Sequence, residues 1–161
     1  MRYGLLLLLV ACTGNEVTGP PDLTGSWTGA NTVAALDVRL SNVVRVFPCG
    51  ITFGCSGSVT VAMIRLEGTY RNQRTAESVL LASDTERRSD ARFDFSLFTR
   101  DNGVNALDTV TYATTRLVGR GIDDSTIDAA LWIDYQRSSG GSSVSWTTWR
   151  ADSSAITLRR K

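Results

Sequence analysis

The residues able to do chemistry in this chain are few, and the most telling one is missing: among 161 residues there is no histidine. A serine or cysteine nucleophile therefore has no imidazole base to activate it. No nucleophile elbow, phosphate-binding loop or metalloprotease helix is present either. Of the three cysteines, Cys12, Cys49 and Cys55, the last two have five residues between them, where a redox pair has two. Without histidine, the common mixed cysteine–histidine zinc sites cannot form. Asp123, Asp124 and Asp128 cluster around a turn. Such a group can hold calcium or work as an acid–base pair, but a solvated acidic loop is the simpler expectation. No catalytic residue, metal ligand or cofactor site is assigned, and the chain is read as a non-enzyme.

The aromatic residues carry the better functional hint. Trp132 falls on the polar face of its segment, while Trp146 and Trp149 fall on opposite faces of theirs, so one of that pair should sit outside the core. An exposed indole suits a sugar, a lipid or a partner surface; the alternative is that a loop or neighbouring strand covers it.

The chain opens with Arg2, an apolar run from Leu5 to Val10, then Ala11 and Cys12. About twenty apolar residues are needed to cross a bilayer, whereas a charged start, a short apolar run and a small residue describe a secretory leader. Leu9-Val10-Ala11-Cys12 resembles the bacterial lipobox. That resemblance implies cleavage before Cys12 and acylation of its thiol and new amine, which would hold the chain at a membrane. Thr13, in place of the aspartate that favours inner-membrane retention, points to the outer membrane. Expected boundaries are 1–11 for the leader, 12–22 for the lipidated cysteine and a flexible tether, and 23–161 for one domain. The tether, two of its ten residues glycine and two proline, spans roughly 30 Å at full stretch. With Cys12 lipidated and the chain exported, Cys49 and Cys55 are expected to bond to each other; so short a loop should contribute about 2 kcal/mol.

The full chain has a formal charge of +1 with acidic and basic residues interspersed, so nucleic acid is not an expected partner. Its length suits a single core. The dominant periodicity is two: Phe93, Phe95 and Leu97 alternate with polar residues, as do Ile127, Ala129, Leu131, Ile133 and Tyr135. Between Gly57 and Tyr70 the apolar phase changes from Val59, Val61 and Met63 to Ile64 and Leu66, which predicts a bulge or a strong bend. Further strands are predicted over Gly25–Ala30, Glu77–Ala82, Asp108–Val118, Val144–Arg150 and Ile156–Arg159. Turns are predicted at Asp101-Asn102-Gly103 and Ser139-Gly140-Gly141-Ser142, with a polar loop over Ser83–Asp90. Segment 33–47 fits a helical stripe and a strand equally; its β-branched content favours the strand. The predicted fold is all-β, an antiparallel up-and-down barrel of about eight strands, with a β-sandwich as the alternative.

The domain begins Leu23-Thr24-Gly25-Ser26-Trp27, which resembles the first strand of the calycins, the lipocalin and avidin group of small barrels. The resemblance implies that Trp27 plugs the barrel floor and that a basic residue of the last strand, Arg150 or Arg159, stacks on it. Gly68-Thr69-Tyr70 is similar to an avidin strand whose tyrosine binds biotin; the remaining biotin contacts do not align, so biotin is not the expected ligand. The ligand and floor candidates are Trp27, Tyr70, Trp132, Trp146, Trp149 and Arg150. Two functions fit: a membrane-anchored binding module for a small apolar or amphipathic ligand, or an envelope lipoprotein with a filled barrel that binds a protein partner.

Overall fold

The computed structural model describes residues 20–48, 57–104, 110–139 and 145–161, with backbone alone for 101–104, 110–111, 137–139 and 145–151. The expected leader, Cys12, and the Cys49–Cys55 loop lie outside the described residues. Eight strands follow one another: β1 (Gly25–Ala30), β2 (Ala34–Pro48), β3 (Ser58–Asn72), β4 (Ser78–Glu86), β5 (Arg92–Val104), β6 (Val110–Asp123), β7 (Thr126–Ser139) and β8 (Ser145–Arg160). They form one sheet in the order β4-β3-β2-β1-β8-β7-β6-β5, antiparallel throughout. Pairing of β1 with β8, Trp27 opposite Arg160 and Thr28 opposite Arg159, rolls the sheet on itself. The result is a nearly closed up-and-down barrel, not a sandwich.

The remaining seam, between β4 and β5, is bridged by side chains. Glu77 pairs with Arg100 at 2.7 Å, and Tyr70 of β3 meets Phe98 of β5 edge-on, ring centres 5.1 Å apart.

Alternation decides what fills the barrel. Leu36, Val38 and Leu40 of β2, Leu66 of β3, Phe93 and Phe95 of β5, Leu117 of β6, Ile127 and Leu131 of β7, and Ile156 and Leu158 of β8 are all buried. Each such side chain contributes about 1.5–3 kcal/mol by leaving water. The opposite phase faces solvent and carries charge: Arg116 of β6 bonds Asp94 of β5 and, at 3.0 Å, Asp134 of β7. These cross-strand pairs on the outer face hold its guanidinium pKa up.

Several local expectations are corrected. Segment 33–47 lies in β2 from Ala34 onward, as its β-branched content favoured. No bulge interrupts β3, whose register against β2 runs unbroken from Ser58 to Asn72; its apolar phase changes because Val59, Val61 and Met63 lie on the outer face while Ile64, Leu66 and Tyr70 lie on the buried inner one. The irregularities lie in β5 between Ser96 and Phe98 and again between Asp101 and Val104, in β6 between Gly121 and Asp123, and in β8, where Tyr135 faces Arg150 and Gln136 faces Thr148. The two segments expected over 144–159 are therefore one strand with Trp149 at a bulge. Asp101-Asn102-Gly103 is strand, with Asp101 opposite Tyr112 and Val104 opposite Val110. The polar loop expected from Ser83 is strand as far as Glu86, since Asp84 satisfies arginines on β2 and β3.

Candidate functional site: a plugged floor and an open mouth

At one end the chain enters over the barrel floor. The Asp22 carboxylate accepts the Thr24 N–H at 3.0 Å and the Thr24 hydroxyl at 2.8 Å, bonds that hold its pKa below the usual carboxylate value. This local turn delivers the Leu23 carbonyl to the Trp27 indole N–H at 2.9 Å. Trp27 is wholly buried. A guanidinium lies over its ring, 4.8 Å from the centre, and it belongs to Arg160.

The sequence pointed to Arg150 or Arg159 for that role. Register explains the difference: Ile156, Leu158 and Arg160 share the inward phase of β8, whereas Arg159 turns outward and donates to the Thr126 hydroxyl at 2.6 Å. Arg150 lies in β8 opposite Tyr135, and its side chain is not among those described. Gly25, with φ of +127°, gives the cation room, since a Cβ there would stand 3.3 Å from the Arg160 guanidinium.

The other end is open. A cavity of about 520 Å³ is lined by Val33, Tyr70, Thr115, Leu131, Ile133, Tyr135, Asp152 and Ser154, with Asn72 and Arg74 at its rim. A second lobe of about 180 Å³ shares Tyr70, Thr115, Ile133 and Tyr135 and adds Phe98, Ala113 and Arg100. The lining is apolar at Leu131, Ile133 and Val33 and carries hydroxyls at Tyr70, Thr115, Tyr135 and Ser154. Tyr70 is 4% exposed, and burial raises its phenol pKa, offset in part by Arg100. The Arg100 guanidinium also lies over Phe98, 5.3 Å from the ring centre.

The mouth is held by two asparagines. Asn31 accepts the N–H groups of Val33 at 2.8 Å and Ala34 at 2.9 Å, and donates to the Ala155 carbonyl at 2.7 Å. It thus ties the β1–β2 turn to β8 and sets Val33 beside Ser154. Asn72 closes the β3–β4 turn by accepting the N–H groups of Arg74 and Thr75.

The sequence-derived residues thus separate. Trp27 is in the floor, and Tyr70 lies nearer the mouth, opposite Leu36 where Trp27 is opposite Val38. Trp132 is on the outer wall, 37% exposed beside Asp128 and Arg120, away from both. Trp146 and Trp149 lie in β8 with side chains outside the description. Asp123 caps a turn, accepting the Ser125 N–H and hydroxyl at 2.7 Å each, which lowers its pKa. Asp124 accepts the Asp22 N–H at 3.1 Å, so this acidic cluster fastens the chain entry. Among the described residues no acidic or cysteine group is arranged to hold a metal.

Phe98, Arg100, Asp152 and Ser154 escaped the sequence reading. Adjacent apolar residues at Leu97 and Phe98 were the available signal, because two neighbours can both face inward only across a bulge. Compared with known protein families, curated proteins and solved structures, the chain has no match.

Proposed function

We propose that this chain is a lipid-anchored protein of the bacterial envelope, held at the outer membrane through Cys12. On this reading its barrel is a non-enzymatic module that takes one small apolar or amphipathic ligand at the mouth. The observation that carries the reading is the cavity of about 520 Å³ beside Tyr70, within the range of about 300–1,000 Å³ usual for small-molecule sites. Leu131, Ile133 and Val33 give it an apolar wall, and its hydroxyls, Asn72, Arg74 and the Asp152 carboxylate a polar one, a lining that suits an amphipathic ligand with an apolar body and a polar end. The calycin-like floor around Trp27 supports the reading, since a plugged floor leaves the mouth as the entrance. The position of Pro20 at the floor supports it too: a tether from Cys12 would leave the mouth pointing away from the membrane.

The test is native mass spectrometry of the processed chain, purified gently from its own host. A reproducible small-molecule adduct, lost in Ser154→Trp, which narrows the mouth, is the expected result. A bare mass across repeated preparations would overturn the reading. It would favour a partner-binding protein with a filled barrel, an alternative to which the close packing of Phe93, Phe95 and Leu117 lends support.

A further inference from the structure

Beyond Leu40, β2 has no β1 partner, and before Met63, β3 has no β4 partner. The two strands nevertheless remain paired from Val44 opposite Ala62 to Pro48 opposite Ser58. They therefore leave the barrel as a two-stranded arm. A ribbon standing alone in water is marginal and ordinarily carries polar side chains on at least one face. This one carries apolar side chains on both, with Ser58 and Thr60 the polar members of the inward face and Arg45 of the other. Val44 and Val46 continue the inward phase of β2, and Phe47 and Val59 form a cross-strand pair on the opposite face; these side chains are 66%, 62%, 48% and 49% exposed respectively.

Charge marks where the arm begins. Between Arg45 and Arg65 the sequence carries no charged residue, and both arginines converge on Asp84 of β4, with Nε to carboxylate distances of 2.9 and 2.8 Å. The root of the arm is therefore a polar clamp, and everything beyond it is uncharged.

We propose that this arm is a membrane-contacting element, dipping Val44, Val46, Phe47 and Val59 into the boundary between headgroups and acyl chains. Two observations select lipid over protein. First, exposed apolar side chains stand on both faces of the ribbon; a bilayer surrounds both at once, where a partner docked on one face leaves the other in water. Secondly, the chain enters on this side: Pro20, Leu23, Asn42 and Ile64 line a single hollow at the root of the arm. The eight residues from Cys12 to Pro20 reach at most about 29 Å, so an anchor at Cys12 would hold the arm close to the surface. That second argument rests on the lipid-anchor reading; the first does not. The outer edges of the ribbon carry unpaired backbone groups, which hydrocarbon does not satisfy, so the contact is shallow, about 5–10 Å deep as for other interfacial elements.

The test places a reporter on the arm and another near the mouth. Phe47→Trp and Leu80→Trp, both at exposed sites, are introduced separately into the full chain. Each is reconstituted in vesicles of phosphatidylethanolamine and phosphatidylglycerol, with and without brominated acyl chains. Added emission is obtained by difference from the unsubstituted protein. The expected result is that brominated lipid quenches the Phe47→Trp emission about twofold or more while aqueous iodide does not, and that Leu80→Trp behaves the opposite way. Equal iodide quenching at the two sites overturns the proposal. So does shielding of position 47 that brominated lipid leaves unchanged, which would mean that a second copy or another protein covers the arm. The acyl mass on Cys12, measured on the same sample, separates the two ideas. Quenching at 47 without an acyl mass keeps the arm and ends the anchor; an acyl mass with position 47 in water keeps the anchor and ends the arm.

Discussion

Truncating the floor tryptophan tests whether the barrel is closed as its geometry indicates. Trp27→Ala removes a side chain with no exposed surface, one hydrogen bond to Leu23 and the ring beneath Arg160. Loss of a buried aromatic costs about 3–5 kcal/mol when the surroundings cannot collapse, and hydrogen-bonded strands on both sides limit collapse here. Trp27→Phe keeps a ring but leaves the Leu23 carbonyl without its donor and the floor underfilled, costing about 2 kcal/mol. At about 2–4 °C per kcal/mol for a chain of this size, Tm should fall by about 6–20 °C for alanine and about 4–8 °C for phenylalanine. Urea unfolding followed by far-UV circular dichroism reads both. Because Trp27 does not line the mouth cavity, any ligand adduct should survive Trp27→Phe. An alanine variant within about 1 kcal/mol of the parent would refute the plugged floor, and loss of the adduct in a folded phenylalanine variant would refute the separation of floor from mouth.

Gly68→Ala should be the most damaging small change in β3: φ there is +151°, and a Cβ would stand 2.2 Å from the Asp37 carbonyl oxygen and 2.7 Å from the Val38 Cα. A loss of about 3 kcal/mol or more is expected, and an unchanged Tm would contradict the β2–β3 approach. Asn31→Ala removes the bonds to Val33, Ala34, Ser154 and Ala155 at the mouth and should cost about 2 kcal/mol, with faster amide exchange at Val33 and Ala34; protection equal to the parent would show that the turn holds without it. Asp84 predicts an acid dependence. Arg65 and Arg45 bring its pKa down to about 2 from 3.8, so the folded state favours the carboxylate, and the stabilisation is present above the unfolded pKa and lost as pH falls through the folded one. For this partly exposed cluster the difference is about 1 kcal/mol at most. Stability of the parent should therefore fall more steeply between pH 4 and 2 than that of Asp84→Asn, and parallel curves would contradict the clamp.

The sequence by itself determined the fold class, because a period of two at 93–97 and 127–135 allows only half-buried strands, and strands joined by short turns pair with their neighbours. It also marked Trp27 and Tyr70 as inward residues through their local glycine motifs. Register was beyond its reach. Whether Arg159 or Arg160 meets Trp27 depends on how β8 lies against β1, one residue of slip reversing every face, and nothing local to β8 encodes that. The apolar phase change in β3 was visible, but its cause was tertiary: where β2 and β3 run on together past β1 and β4, the outer face of the ribbon can turn apolar without a bulge. The mouth was equally hidden. Tyr70, Thr115, Ile133 and Ser154 come from four strands spread over 85 positions of chain, and only closure of the sheet through β1 and β8 brings their side chains around one space.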